Sequence, residues 1–342
     1  MTNLDKRVTD ACHRIEELYY ETGGKCYVSF SGGKDSTVLL ALIKLCEEVY
    51  TIPENAIPAV FSNTGIELGV TVDFVKWVKD NFPNVQVIRP GLSFDAVIKK
   101  YGKPIKSKIK SEYLDRWQKG NRKEKTQYML IFGGTEVAKT RFADKDMHML
   151  HDAFPIKISN NCCRELKKKP FHKHEGKAMN GMLSGLRAEE GGARYLNMKQ
   201  RLAMGGKLCT TTTRGLINKL PIVDWTDDDI EQFIEQYHIP LSDAYTKYGF
   251  KRTGCMCCPF SRNIANDLKY LYYHEPNRYK ASMHWLKDVY IAQNVILPFD
   301  ESYERERERM WTEVYEPMRQ EMLRKYRPNS RLIKDGEQLT LF

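Results

Sequence analysis

The chain has no apolar run long enough to cross a membrane, and its first twenty residues are amphipathic rather than arranged as a signal peptide. These absences predict a cytoplasmic protein without a membrane contact. Internal repeats and low-complexity linkers are also missing, which excludes a repeat array. The 342 residues suffice for one large domain or two ordinary ones.

Basic residues outnumber acidic ones by 54 to 44, which gives a net charge of +10. This excess suits an anionic partner such as a nucleotide or a nucleic acid, although many basic proteins bind neither. One basic stretch has interleaved aromatic residues, and its cations are Lys99, Lys100, Lys103, Lys106, Lys108, Lys110, Arg116, Lys119, Arg122 and Lys123. It is either a polyanion groove, an insertion over an active site, or a solvated charged helix.

A glycine turn carries the strongest signal for chemistry. The β-prone run 27–30 meets Ser31-Gly32-Gly33-Lys34-Asp35-Ser36, and an apolar run of helical length follows. The spacing fits neither the Walker loop nor the Gly-x-Gly-x-x-Gly dinucleotide turn. Glycines allow close backbone approach, and the free N–H groups at a helix start attract an anion. The pattern predicts a phosphate or sulfate site, against the alternative of an ordinary glycine-rich connection.

Short strands alternating with helices predict an α/β fold, namely a parallel twisted sheet with helices on both faces and a helical C-terminal extension. The predicted domain spans residues 1–260, with a basic insertion at about 99–150, and the extension spans 261–342. Strands are predicted at 27–30, 59–61 and 85–88, and near 182–187. Helices are predicted at 1–22, 70–81, 227–237, 264–274, 279–292 and 303–325.

Two further turns follow predicted strands and share the sheet edge with the glycine turn. They are Asn63-Thr64-Gly65 and Gly185-Leu186-Arg187. Ligands of open parallel sheets sit at the carboxyl ends of the strands, so these turns can belong to one site. Further along, Thr226 and Asp229 have the spacing of a capping box.

Five of the nine cysteines fall in two clusters, Cys162-Cys163 and Cys255-Met256-Cys257-Cys258. A disulfide framework is not expected in a cytosolic chain. Four thiolates can bind zinc or an iron–sulfur cluster, and Cys255-x-x-Cys258 has common ligand spacing. Adjacent cysteines are less usual for zinc, because neighbouring side chains point apart in regular structure. Cys257 can replace either neighbour as a ligand, and buried apolar thiols are the alternative for the whole set.

The glycine turn resembles the pyrophosphate-binding loop of the adenine nucleotide α-hydrolase-like superfamily, the PP-loop ATP pyrophosphatases, whose signature is Ser-Gly-Gly-x-Asp-Ser. Together with the two cysteine clusters and the turns, it resembles the phosphoadenylyl-sulfate (PAPS) reductase family over about residues 20 to 260. Adenylyl-sulfate reductases of this kind hold a [4Fe-4S] cluster on Cys-Cys and Cys-x-x-Cys pairs. The resemblance implies the cluster ligands Cys162, Cys163, Cys255 and Cys258, with zinc as the alternative.

An intact loop suits ATP, and known reductases attack with a cysteine in a C-terminal tail, whereas no cysteine follows Cys258 here. The resemblance to DNA phosphorothioation enzymes and cluster-dependent tRNA thiolases therefore implies an ATP pyrophosphatase that adenylates an acceptor for sulfur transfer. Lys34, Asp35 and Arg187 are the predicted catalytic residues, with Mg²⁺ entering with ATP. The predicted nucleotide-binding residues are Ser29, Ser31, Gly32, Gly33, Lys34, Asp35, Ser36, Asn63, Thr64, Gly65, Gly185, Arg187 and Arg194.

The expected partners are an adenine nucleotide, a nucleic acid (DNA or tRNA) and a sulfur donor such as a cysteine desulfurase. The main alternative is an adenylyl-sulfate or phosphoadenylyl-sulfate reductase that forms sulfite, with Cys209 or Cys257 as nucleophile. Transfer of AMP to sulfate, as in ATP sulfurylase, is disfavoured by the cysteine clusters. A non-catalytic nucleotide sensor is the fourth alternative.

Overall fold

The computed structural model describes residues 3–49, 51–82, 84–122, 126, 128–133, 141–176, 178–190, 208–213 and 215–328. The chain divides into two compact units. Unit 1 contains Met1–Gly91 and Leu166–Gly254, and unit 2 contains Leu92–Glu165 and Cys255–Phe342. This division differs from the predicted boundary near residue 260, because the predicted insertion groups with the C-terminal helices.

Within the described residues, six strands form one sheet, all of them in unit 1: β1 Cys26–Phe30, β2 Ala59–Ser62, β3 Val85–Ile88, β4 Gly181–Leu183, β5 Thr210–Thr213 and β6 Leu216–Lys219. The helices of unit 1 and unit 2 together are α1 Asn3–Glu21, α2 Lys34–Glu48, α3 Gly69–Asn81, α4 Phe94–Tyr101, α5 Lys108–Gln118, α6 Lys169–Glu175, α7 Asp227–Gln236, α8 Asp243–Thr246, α9 Ile264–His274, α10 Pro276–Ala292, α11 Glu301–Met310 and α12 Glu316–Tyr326. Among the described residues, no helix is both long and apolar enough to cross a membrane.

The sheet has the strand order β3-β2-β1-β4-β6-β5. In this order, the first five strands (β3, β2, β1, β4 and β6) run parallel to one another. The last strand, β5, lies at the edge of the sheet and pairs antiparallel with β6. From β1 the chain moves outward to β2 and β3, and then returns to place β4 on the other side of β1. The switch point therefore lies between β1 and β4, and ligands of such sheets bind in this crevice, beyond the carboxyl ends of the strands.

Successive side chains of β1 point to opposite faces of the sheet. Cys26, Val28 and Phe30 join the main core, which the apolar faces of α1, α2, α3 and α7 complete. Tyr27 points to the opposite face, where its ring lies 6.0 Å from Phe171 of α6. The predicted α/β class with helices on both faces is confirmed.

Unit 2 is helical in its described part. Besides α4, α5 and α9 to α12, it has a π-turn at Tyr128–Phe132, a 3₁₀ turn at Asp144–Leu150 and another π-turn at Trp311–Tyr315, which joins α11 to α12. α10 and α11 begin two or three residues before their predicted starts at 279 and 303. Pro276 supplies the first-turn residue of α10, and Asp300 caps α11 by accepting from the Tyr303 N–H.

His148 is a fully buried titratable group of unit 2. Its Nε2 donates to the Ala292 carbonyl at 2.9 Å, and three aromatic rings, Phe154, Trp311 and Tyr315, surround it at 5.0 to 5.9 Å between ring centroids. Burial lowers the pKa of His148 from 6.5 to about 4, outweighing the hydrogen bond and nearby Asp146, while Lys106 acts in the same direction as burial. The ring is therefore neutral and structural at physiological pH.

This lowered pKa makes unit 2 sensitive to acid. Below pH 6.5, His148 is protonated in the unfolded chain but stays neutral in the folded protein. The contribution of His148 to the free energy of unfolding is therefore complete above pH 6.5 and is lost as pH falls towards 4. We expect a loss of about 3 kcal/mol over this range at ~1.4 kcal/mol per pH unit. Urea unfolding between pH 7.5 and 4 measures it. His148→Gln, which keeps a donor for Ala292, should flatten the dependence, and an unchanged slope in this variant would contradict the assignment.

Candidate functional site

The glycine turn leads from the carboxyl end of β1 directly into α2. Gly32 has φ +70°, a conformation that favours glycine, and a Cβ there would meet Thr71 Cγ2 at 3.0 Å and Val75 Cγ2 at 3.1 Å. Gly33 is the N-cap of α2 and supplies no side-chain cap. The first N–H groups of the helix therefore face the turn without a local acceptor from the N-cap, as an anion site requires.

Two serine hydroxyls close the turn on itself. Ser31 Oγ lies 3.1 Å from Ser36 Oγ and accepts from the Gly33 N–H at 3.3 Å, while Ser36 Oγ donates to the Gly33 carbonyl at 2.9 Å. Ser36 is buried, whereas Ser31 is exposed. These two predicted nucleotide-binding serines thus meet at one place, with Ser31 on the open side. Ser29 is half-buried within β1, where it pairs with Val60.

Lys34 opens α2 and has one weak carboxylate contact. Its Nζ lies 3.6 Å from Glu231 Oε1, and the Glu231 side chain is mostly exposed. The Lys34 backbone N–H donates to the Tyr245 hydroxyl at 3.1 Å, and Tyr245 also accepts from the Thr253 N–H at 3.2 Å. Tyr245 thus takes the position of an oxygen acceptor at the helix start. No sequence motif pointed to it, because it lies 211 positions further along the chain.

Arg187 follows β4 and is buried beside the turn. Its Nε donates to Asp35 Oδ1 at 2.8 Å and its Nη2 to Asp227 Oδ1 at 2.5 Å, while Nη1 lies 3.5 Å from Glu189. Burial lowers the pKa of Arg187, but its bond to Asp227 and the charge of Asp35 raise it overall, so the guanidinium stays charged. The hydrogen bond from Arg187 lowers the pKa of Asp227.

These contacts assign Arg187 and Asp35 a structural relation that the sequence did not give. The predicted proximity of the two turns at the sheet edge is present, since Arg187 joins the glycine turn to the start of α7. Its three carboxylate neighbours already use its charge, so it positions Asp35 in this structure. Its predicted catalytic role stays a prediction.

The third turn, Asn63-Thr64-Gly65, is organised by Glu67. This buried carboxylate accepts from the Thr64 N–H and the Gly65 N–H at 3.1 Å each and from Thr64 Oγ1 at 2.5 Å. Asn63 Oδ1 also accepts from the Gly65 N–H at 3.1 Å. Thr64 is therefore turned inward, while Asn63 and Gly65 keep some exposure. Arg194, also predicted as a nucleotide-binding residue, lies outside the described residues.

Gly185 brings β4 against the backbone of the glycine turn. A Cβ there would lie 2.9 Å from the Asp35 carbonyl oxygen and 3.2 Å from the Ser36 nitrogen. Since these are backbone atoms, Gly185→Ala must displace the turn. We expect a loss of activity of about 100-fold, as ~1 Å misplacement can cause. Gly91→Ala is the matched control, because a Cβ there meets nothing within 4 Å. Equal turnover by the two variants would show that the turn tolerates displacement.

The two cysteine clusters meet in unit 2, although 92 positions separate them. Cys162 and Cys163 begin a helical turn that continues as the π-turn Arg164–Lys168. A hydrogen bond to Cys163 raises the pKa of Cys162 most, followed by burial and by the charges of Cys163, Cys258 and Cys255. Cys255 and Cys258 are therefore near enough to Cys162 for their charges to act on it, and the Cys162 and Cys163 thiols contact each other.

The second cluster forms a turn held against α10. The Cys258 N–H donates to the Cys255 carbonyl at 3.3 Å, and the Tyr290 hydroxyl donates to the Cys257 carbonyl at 2.7 Å. Cys257 is fully buried, and its burial raises its thiol pKa, while a hydrogen bond with Ser282 opposes this rise. Its side chain thus faces α10, whereas Cys255 and Cys258 are half-buried.

The proximity of these thiols does not by itself make a metal-binding site. Within the part of the chain that the structure describes, no group of three or more His, Cys, Asp or Glu side chains is arranged to hold a metal ion. The donor set nevertheless consists of thiols, which suit a cluster better than the hard Mg²⁺ ion.

The basic stretch is largely neutralised within unit 2. Lys103 pairs with Asp288 at 2.7 Å, and Lys106 pairs with the buried Asp146 at 2.8 Å. The remaining ion pairs are Lys99–Asp95, Lys110–Asp146, Arg116–Glu112, Lys119–Asp115 and Arg122–Asp152. Of the described cations in this stretch, Lys100 and Lys108 are exposed and have no carboxylate partner. This pattern favours the alternative of a charged surface helix for α5.

The fold and the site define a doubly wound α/β protein with a glycine turn at its switch point. Residues 25–261 match the phosphoadenosine phosphosulfate reductase domain. The chain belongs to this family, and the predicted family resemblance is confirmed.

Two curated proteins show how far the similarity extends. Adenosine 5'-phosphosulfate reductase 2 of Bacillus subtilis (strain 168) is 24% identical over 276 residues, which cover 77% of this chain and 86% of that protein. An uncharacterised protein of Methanocaldococcus jannaschii is 23% identical over 262 residues, which cover 76% of this chain and 47% of that protein.

Two solved structures share limited similarity with this chain. A phosphate complex of PAPS reductase from Candida auris has a TM-score of 0.38 at 14% identity and covers 68% of this chain and 81% of its own. The U34-tRNA thiolase NcsA from Methanococcus maripaludis, with its [4Fe-4S] cluster, has a TM-score of 0.37 at 13% identity. The match covers 89% of this chain and 80% of the thiolase chain. These scores are too low to assign an activity.

Proposed function

We propose that the chain is an ATP pyrophosphatase that adenylates an acceptor and prepares it for sulfur transfer. The observation that carries this proposal is the intact Ser-Gly-Gly-Lys-Asp-Ser turn at the start of α2. Its N-cap, Gly33, provides no side-chain cap, and Lys34 has one weak ion pair. Backbone N–H groups, the helix dipole and a lysine at one place suit a pyrophosphate that gains charge as it leaves.

In the proposed reaction, an acceptor oxygen attacks the α-phosphorus of ATP. The bond between the α-phosphorus and its bridging oxygen breaks, pyrophosphate leaves, and the acceptor retains AMP through the new ester bond. A hydrosulfide sulfur from the donor then displaces AMP. Ser31, Gly33 and Lys34 bind the leaving pyrophosphate, while Arg187 holds Asp35 in position. Mg²⁺ enters as part of the substrate, bound to the ATP phosphates.

An iron–sulfur cluster fits the thiol set of unit 2. Cys162, Cys163, Cys255 and Cys258 would hold it, and when bound it would supply a site for sulfur. We propose a [4Fe-4S] cluster rather than zinc, because adjacent cysteines suit a larger group better than a single ion. Cys257 serves instead to hold the turn on α10, since its side chain is buried there and its carbonyl accepts from Tyr290.

The acceptor class that suits a basic chain is a nucleic acid, either DNA or tRNA, with a cysteine desulfurase or a similar protein as sulfur donor. The second candidate function is reduction of adenylyl sulfate or phosphoadenylyl sulfate to sulfite. One specific observation favours it, namely the 24% identity with a Bacillus adenosine 5'-phosphosulfate reductase over most of both chains.

Two ATP analogues test which phosphate bond breaks. The β,γ-methylene analogue keeps the bridging oxygen between the α- and β-phosphorus, so AMP should form when an acceptor and a sulfur donor are supplied. The α,β-methylene analogue should bind as an inhibitor and give no AMP. ADP and phosphate from ATP itself, without AMP, would contradict a pyrophosphatase.

A further inference from the structure

The end of the α9–α10 hairpin in unit 2 exposes a cluster of aromatic rings. Tyr273 is 60% exposed and Tyr272 is 38% exposed, although both rings are large and partly apolar. The Tyr272 ring centroid lies 5.1 Å from those of Tyr273, Tyr279 and Phe299. The rings therefore hold one another in fixed orientations while two of them remain open to solvent. Exposed aromatic groups of this kind mark interaction sites.

A cavity of about 410 Å³ adjoins this cluster and shares Tyr279 with it. Three basic side chains of α10 line it, Lys280, His284 and Lys287, at a spacing that places them on one face of the helix. Lys280 and His284 are exposed, and among the described residues neither has a carboxylate partner. Lys287 pairs with Glu306.

The acidic group of the cavity wall is already engaged. Asp300 accepts from the Tyr279 hydroxyl at 2.6 Å and from the Tyr303 N–H at 3.0 Å, where it caps α11. Its charge is therefore offset by the helix start and a hydroxyl donor. The cavity thus presents the Lys280 ammonium group and the His284 ring beside open aromatic rings, in contrast to the basic stretch of α5, whose cations are mostly paired.

We propose that this aromatic–cationic surface, formed by Tyr272, Tyr273, Phe299, Lys280 and His284, binds a single-stranded segment of nucleic acid. Unstacked bases lie against the tyrosine rings, and the phosphates contact Lys280 and His284. Base stacking on aromatic rings next to a cationic groove is the recurrent arrangement for single strands. An acidic peptide would use the cations and leave the rings unexplained. The inference rests on the proposed function in identifying where the acceptor binds.

Fluorescence anisotropy with labelled twenty-nucleotide oligo(dT) and oligo(U), without ATP, tests the surface. We expect binding at low salt that weakens steeply as salt rises. Tyr273→Ala should weaken it about tenfold or more, and Tyr273→Phe should restore it, because the ring alone provides the stacking. Lys280→Ala should weaken it and reduce the salt slope by about one. Duplex DNA should compete poorly, since its bases are stacked.

Matched variants exclude general effects. Tyr20→Ala removes a tyrosine of similar exposure, 65%, from α1 and should leave binding unchanged. Lys108→Ala removes an exposed, unpaired lysine of α5 and should also change little. Binding lost in Lys108→Ala but kept in Lys280→Ala and Tyr273→Ala would move the site to the basic stretch and overturn the proposal. Absence of binding of either oligonucleotide at low salt would also overturn the proposal, even if the surface were then found to bind a protein.

This test is separable from the proposed function. The ATP affinity of Tyr273→Ala should equal that of the unaltered protein, because the residue lies outside the turn that binds ATP. Lost oligonucleotide binding with intact ATP binding would support the surface. Absence of ATP binding in the unaltered protein and in every variant would contradict the proposed function and leave the oligonucleotide result standing.

Discussion

Lys34→Ala is expected to reduce pyrophosphate release from ATP by at least ~100-fold, the usual effect of removing a group that stabilises developing charge. Lys34 is the first residue of α2, and its ammonium group has one contact, at 3.6 Å, with a mostly exposed Glu231. An exposed pair of this kind contributes little and yields readily to a pyrophosphate. Initial rates of pyrophosphate formation at saturating ATP measure the effect.

Adding Ser36→Ala should deepen the loss, because Ser36 Oγ holds the Gly33 carbonyl and meets Ser31 Oγ. Lys25→Ala is the matched control. Lys25 is an exposed lysine just before β1, at the opposite edge of the sheet from the turn. Full activity in Lys34→Ala/Ser36→Ala, with unchanged ATP affinity, would show that the turn is an ordinary connection.

Cys255→Ser should abolish iron binding, whereas Cys257→Ala should retain it. The reason is geometric: the Cys255 thiol is half-buried and shares the environment of Cys162, while Cys257 is fully buried beside Ser282 and Tyr290. Iron and labile sulfide in anaerobically purified protein, together with its visible absorption, measure both variants. Cys162→Ser should behave as Cys255→Ser does.

The Cys257→Ala variant also distinguishes the loss of an iron ligand from the loss of side-chain packing. Loss of the thiol leaves the Cys257 carbonyl available to Tyr290, so the turn should stay in place and lose only side-chain packing. Iron lost from Cys257→Ala with an unchanged unfolding midpoint would identify Cys257 as a ligand. A colourless unaltered protein with one equivalent of zinc would contradict the cluster.

The parts of the fold written in local patterns could be predicted from the sequence. The capping box is an example: Thr226 Oγ1 accepts from the Asp229 N–H at 3.1 Å, and Asp229 Oδ2 accepts from the Thr226 N–H at 2.8 Å. The third strand and the helix at 264–274 also have the predicted bounds. In each case neighbouring residues in the sequence provide the decisive contacts.

Features that depend on distant residues were missed. The strands β5 and β6 lack a strong apolar alternation, because Thr210–Thr213 forms a polar edge strand. Tyr245 reaches the glycine turn from 211 positions away, and Lys103 pairs with Asp288 across 185 positions. Charge along a sequence therefore overstated the free charge of the basic stretch, whose partners are supplied by the fold.

The glycine turn lies between these two cases. Its motif and its place after a strand were readable from the sequence, and so was the proximity of Gly185 and Arg187. The engagement of Arg187 by Asp35, Asp227 and Glu189 was not, because Asp227 resembles an ordinary first-turn helix residue. Likewise, Glu67 fits a generic acidic turn until its three hydrogen bonds to the Thr64-Gly65 turn are seen.

One measurement tests the proposed activity most directly: pyrophosphate and AMP release from ATP, run beside sulfite release from adenylyl sulfate and phosphoadenylyl sulfate with thioredoxin. Anaerobically purified protein is used, with and without total RNA and denatured DNA as acceptors. An ATP pyrophosphatase that serves sulfur transfer should release one pyrophosphate for each AMP that is transferred to the acceptor or released from it, and should form no sulfite. Sulfite without pyrophosphate would contradict it and make the chain a sulfonucleotide reductase.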